Sequence, residues 1–170
     1  QGDSVTDCQR SENNLLGLGY PRLISALFKA QYPELNVKFL NRGVSGNRSI
    51  DLVNRWTEDC IEIRPDVLSI LVGINDTWRR YDSNSPTTAE EFYHNYKKLL
   101  TRVRTEIGDI SIIIMEPFLL QVKEEQTAWR EDLDPKIQMA RLVAREFGAT
   151  YIPLDGIFAQ KSMVMPATYW

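Results

Sequence analysis

Histidine is almost absent from this chain: its 170 residues contain one, His94. Cysteine is scarce too. Cys8 and Cys60 are the two present, without metal-type spacing, so the chain gives no sign of a metal centre or other cofactor. Two isolated thiols suit a reduced, intracellular protein better than a disulfide, and the expected location is cytoplasmic. No apolar run approaches the ~18 residues of a membrane-spanning helix. Basic charge is not in excess: 20 Lys and Arg against 23 Asp and Glu leave a net charge of -3, which removes the footprint of a nucleic-acid partner. Internal repeats, low-complexity stretches and interdomain linkers are also lacking. What remains is 43% apolar and 25% charged, an ordinary globular composition. Residues 1–170 therefore read as a single domain with one core.

Helical and extended patterns alternate along the chain. Residues 20–32 place Leu23, Ile24, Leu27 and Phe28 on one helical face and stop before Pro33. Residues 37–41 read as a strand, 50–63 as a helix, and the continuous apolar run at 66–72 as a strand buried on both faces. A long amphipathic helix is expected over 88–107, with Thr88 as N-cap and Glu91 completing a capping box. Residues 110–115 form another buried strand. The pattern at 125–147 is helical, with Pro135 expected to start, end or kink one piece of it. A short strand at 149–154 and a loop-like tail with a helical turn over 155–170 complete the reading. Helices alternating with apolar strands predict an α/β fold with a parallel sheet covered on both faces. Ligands of such sheets sit beyond the carboxyl ends of the strands.

Three loops at those ends combine glycine with short polar residues. They are Gly2-Asp3-Ser4, then 42–48 (Arg42-Gly43-Val44-Ser45-Gly46-Asn47-Arg48), then Gly73-Ile74-Asn75-Asp76. Acyl transfer needs a nucleophile, oxyanion donors, a base and an acid that orients the base. Ser4 has the hydroxyl for the first role and a backbone N–H for the second. Gly46 lets a bare N–H approach closely, and Asn75 offers an amide that does not titrate. Taken singly, each feature has a plainer reading. Ser4 fits a helix N-cap, Gly43 and Gly46 fit turns, and Asn75-Asp76 fits a cap pair. Their order at successive strand ends is what favours chemistry.

Gly2-Asp3-Ser4-Val5-Thr6-Asp7, Asn41-Arg42-Gly43-Val44-Ser45-Gly46-Asn47 and Gly73-Ile74-Asn75-Asp76 resemble the first three signature blocks of the SGNH, or GDSL-like, hydrolases. The resemblance spans the whole chain. It implies a flavodoxin-like three-layer α/β/α fold and a metal-free serine esterase acting on a small-molecule ester. It also implies Ser4 as nucleophile, with the Ser4 N–H, the Gly46 N–H and the Asn75 amide as oxyanion hole. Asp3, Arg48, Asp76, Trp78 and Glu116 are candidates for the substrate pocket. With no long apolar lid in the sequence, acetylated sugars or similar soluble esters are favoured over lipids. The competing reading is an inactive relative that binds acylated sugars or a protein partner.

The family's fourth block, Asp-x-x-His, is not matched. Asp155-Gly156-Ile157-Phe158 has phenylalanine in the histidine position, and His94 falls within a helix pattern. The expectation is that this block, and a strand leading into Gly2, lie outside the 170 residues. In a flavodoxin-like order 2-1-3-4-5, the strands at 37–41 and 67–72 should then stand roughly 10 Å apart, without pairing directly.

Overall fold

The computed structural model describes residues 1–169. A single-turn helix α1 (Ser4–Asp7) is followed by α2 (Tyr20–Gln31), α3 (Ser49–Asn54) and strand β1 (Val67–Ile70). Then come α4 (Ile74–Asp82), α5 (Ala89–Arg102), β2 (Ser111–Met115), α6 (Arg130–Glu146), β3 (Thr150–Ile152) and α7 (Leu154–Ser162). The three strands form one parallel sheet in the order β1-β2-β3, with Val67 opposite Ser111 and Ile113 opposite Thr150. This is the expected α/β class. Alternation along the strands turns Leu68, Ile70, Ile112 and Ile114 into a core closed by Leu52 and Trp56 of α3, Phe92 and Tyr96 of α5, and Ala140 and Val143 of α6. The opposite sheet face carries Val67, Ser69, Ile113 and Met115. These residues look into a cavity of about 550 Å³, bounded by α2 and residues 36–42.

The sheet continues one residue at a time beyond β1. Gly2 forms a parallel bridge to Leu71 on one side and to Gly43 on the other. The 42–48 loop and β1 therefore do not pair with each other; Gly2 lies between them, as the order 2-1-3 requires. Residues 37–41 differ from expectation, since they form no strand. An extended segment becomes a strand only through ladder partners, and among the described residues this one has none until Gly43 meets Gly2.

Other boundaries also differ. Two helices end in π-helical turns, Thr57–Ile61 after α3 and Val103–Ile107 after α5. The 125–147 pattern divides into a 3-10 helix, Glu124–Trp129, and α6, with Pro135 inside α6 rather than at an end. Residues 154–162 form a nine-residue helix where the end of a strand and a loop-like tail with one helical turn are expected. Its first turn is anchored by the Asp155 N–H donating to Glu116 Oε2 at 2.9 Å, a tertiary bond with no local sequence signal. The stripe Leu23, Ile24 and Leu27 of α2 is exposed, and the buried residue of that helix is Ser25. At Thr88 and Glu91 the capping box forms as expected. Cys8 and Cys60 are both free, and no described helix is long and apolar enough to cross a membrane. Trp170 lies outside the described residues.

Candidate active site

The three glycine-containing loops meet at the carboxyl end of the sheet. Ser4 is the first residue of α1; its N-cap is Asp3, whose Oδ1 accepts the Val5 N–H at 3.0 Å. The cap role considered for Ser4 is thus taken by its neighbour. Ser4 is exposed, and its hydroxyl has no hydrogen-bond partner among the described residues. Gly43 allows the second loop to lie directly on α1: a Cβ there would stand 2.3 Å from the Asp7 nitrogen. From the same helix, Asp7 Oδ2 accepts both the N–H and the hydroxyl of Ser45, at 3.2 and 2.6 Å.

Ser4 and Asn75 line one cavity of about 420 Å³, together with Asp3, Val5, Trp78, Phe118 and Trp129. Asn75 is buried in the first turn of α4, and its Nδ2 donates to the Asn47 carbonyl at 3.0 Å. A primary amide carries two N–H donors, so one remains. Gly46 is not among the cavity-lining residues. It is exposed, takes a left-handed φ of 83°, and its N–H has no acceptor among the described residues. The structure thus brings Ser4 and Asn75 into one cavity and ties the Gly46 turn to both of their helices by hydrogen bonds.

The remaining candidates separate. Asp3 and Trp78 line the cavity; Arg48, Asp76 and Glu116 do not. Arg48 faces Asp51 and Ser85. Asp76 is fully buried and accepts the Ser49 N–H at 2.9 Å and the Ser49 hydroxyl at 2.6 Å. Glu116, also fully buried, accepts from Arg141, from the Tyr151 hydroxyl and from the Asp155 N–H. Asp155 in turn takes a bidentate contact from Arg130, both bonds at 2.8 Å, and the Leu119 N–H at 3.1 Å. These carboxylates hold the 116–130 wall of the cavity rather than its surface. Of that wall, Glu116-Pro117-Phe118 reads from the sequence as lying on the pocket side, whereas Leu119, Leu120 and Trp129 carry no local signal that places them there. Trp78 packs at 5.7 Å on Trp129, which stacks on Tyr81.

Burial dominates the electrostatics. It raises the carboxyls of Asp3 and Asp76 from the ordinary 3.8 to about 6 each; the Val5 N–H partly opposes this at Asp3, and Ser49 does so at Asp76. Burial likewise pushes the Cys60 thiol up to about 12. No histidine lines the cavity. His94 lies exposed on α5 with Nδ1 against the Glu90 carbonyl.

Residues 2–169 match the GDSL-like Lipase/Acylhydrolase family. An acetylxylan esterase of Geobacillus stearothermophilus is 33% identical over 179 residues, covering 99% of this chain and 81% of that protein. The crystal structure of Axe2, an acetylxylan esterase from Geobacillus stearothermophilus, superposes with a TM-score of 0.88 at 31% identity, covering 99% of this chain and 80% of the other. Forms of it in which a serine, an aspartate or a histidine is replaced by alanine are described as catalytic mutants. A protein of Parabacteroides merdae described as a GDSL-like lipase superposes with a TM-score of 0.94 at 32% identity, over 100% of this chain and 82% of the other.

Proposed function

The chain belongs to the GDSL-like lipase/acylhydrolase family, and from that premise we propose that it is a carboxylic ester hydrolase working through an acyl-serine on Ser4. The observation that carries this reading is the shared cavity of Ser4 and Asn75, with the Ser4 hydroxyl uncommitted and one Asn75 amide N–H unspent. In this mechanism Ser4 Oγ attacks the acyl carbonyl. Negative charge then develops on the carbonyl oxygen, where the N–H groups of Ser4 and Gly46 and the Asn75 amide receive it. Collapse expels the alcohol and leaves the acyl group on Ser4, and water attacks that ester to release the acid and restore the hydroxyl.

A serine hydroxyl needs a base to take its proton. The single histidine stands elsewhere, and Asp155 is committed to Arg130 and Leu119. We therefore assign the base to an Asp-x-x-His segment outside these 170 residues, which we take as a single domain incomplete at both ends. Acetyl esters of carbohydrates are the substrates we favour. The similarity to an acetylxylan esterase supports that choice, as does Trp78, an exposed aromatic on the cavity wall suited to a sugar ring. The test is Ser4→Ala in the complete protein, assayed on p-nitrophenyl acetate and on acetylated xylo-oligosaccharides. The variant should fold and lose hydrolysis of both. Parental turnover, after subtraction of the uncatalysed rate, would end the reading.

A further inference from the structure

Gly46 is held by very little of its own. A Cβ added there would meet nothing within 4 Å, and the residue is exposed at φ 83°, so side-chain packing does not fix where its N–H points. What fixes the turn lies on either side of it. Upstream, Ser45 is bound by Asp7 of α1. Downstream, the Asn47 carbonyl accepts from Asn75, the Asn47 side-chain oxygen accepts from Arg55 Nε at 2.8 Å, and Ser49 is gripped through both its N–H and its hydroxyl by Asp76. The Ser49 hydroxyl also receives Asn95 Nδ2 of α5 at 2.9 Å. Asp76 is the only charged group in the downstream set that is fully buried, and Ser49 donates two hydrogen bonds to it.

Resting on the oxyanion reading above, we propose that Asp76 is a positioning residue: a buried latch between α4 and the start of α3 that holds the Gly46 N–H in register with the Asn75 amide. These two oxyanion donors come from segments far apart in sequence, and a buried two-point contact between residues 49 and 76 reinforces the Asn75–Asn47 bond in keeping them a fixed distance apart. Charge-assisted bonds to a carboxylate are short and directional, and at 2.6 and 2.9 Å both fall in that class. Loss of the latch leaves the turn to the bonds at Ser45 and Asn47 alone, and a displacement of ~1 Å at a catalytic donor costs about 10²-fold in turnover. Asp76 itself is fully buried, with its carboxylate turned to Ser49.

The test compares Asp76→Ala, Asp76→Asn, Ser49→Ala and Ser4→Ala in the complete protein, with kcat and KM for p-nitrophenyl acetate and circular dichroism for folding. Asp76→Ala should lower kcat by about 10²-fold with KM nearly unchanged. Asp76→Asn should recover most of that loss, because an amide oxygen can accept the Ser49 N–H while its NH₂ donates to the hydroxyl oxygen. Ser49→Ala, which removes one of the two contacts and keeps the Ser49 N–H, should fold and give a smaller fall in kcat. The latch is overturned if Ser49→Ala keeps the parental kcat, if folded Asp76→Ala does so, or if Asn restores no more activity than Ala. Parental turnover in Ser4→Ala is a separate outcome: it removes the esterase reading, and the latch with it.

Discussion

Asp3 directly precedes the candidate nucleophile at 1% exposure, and burial lifts its carboxyl to about 6. In the unfolded chain it titrates near its ordinary 3.8. Below that value both states carry the proton and burial costs nothing. Between the two values the folded state holds the extra proton, so this residue's contribution to stability is lost as pH rises through about 6. Asp3→Asn should therefore melt at a higher temperature than the parent near pH 8 and at about the same temperature near pH 4, in thermal scans across that range. A lower melting temperature at the alkaline end would contradict the assignment. Asn75 allows a kinetic counterpart. As an oxyanion donor its loss in Asn75→Ala should lower kcat by ~10²–10³ with a smaller effect on KM, and a change confined to KM would make it a binding residue instead. Residue types told much at this scale: Ser4, Asn75, Asp3 and Trp78 are all legible as polar or aromatic residues at strand ends, and all line the cavity. Glu116 and Asp76 were equally visible as residues, but which partners they bury against depends on Arg141, Tyr151 and Ser49, far away in sequence.

Elements with a local cause were the readable ones. The capping box at Thr88 forms because the hydroxyl and the Glu91 carboxylate satisfy each other's backbone N–H within one turn. Thr88→Ala should lower the unfolding free energy by about 1 kcal/mol in chemical denaturation, with activity unchanged. Helix α4 begins inside the Gly73-Ile74-Asn75-Asp76 run, which reads as a loop, although Ile74, Thr77, Trp78 and Tyr81 fall at helical spacing. The Gly73-Ile74-Asn75-Asp76 run drew attention to turn chemistry and hid the period behind it. The 37–41 segment failed in the other direction: its composition is that of a strand, but strand formation is decided by neighbours. The anchoring of α7 is tertiary as well. Glu116→Ala strips the acceptor from Arg141, the Tyr151 hydroxyl and the Asp155 N–H together, so it should destabilise by about 1.5–3 kcal/mol and loosen the 116–130 wall. A melting curve like the parent's would show that the hub contributes nothing.

At the scale of the whole molecule, the parallel α/β class was legible because two apolar strands, at 67–70 and 111–115, alternate with amphipathic helices. The order of the sheet came out of the loops instead: Gly2 bridges Leu71 and Gly43, which sets three sequence-distant glycine-containing segments side by side. That juxtaposition is the central claim, because the proposed role of Ser4 as nucleophile rests on it. It is tested most directly by treating the complete protein with a fluorophosphonate, which forms a covalent adduct only with an activated serine, and locating the adduct by peptide mass spectrometry. The account predicts one adduct per chain, on the peptide containing Ser4, with loss of esterase activity in step with labelling. An adduct on another residue, or none in a protein that hydrolyses acetyl esters, would contradict it.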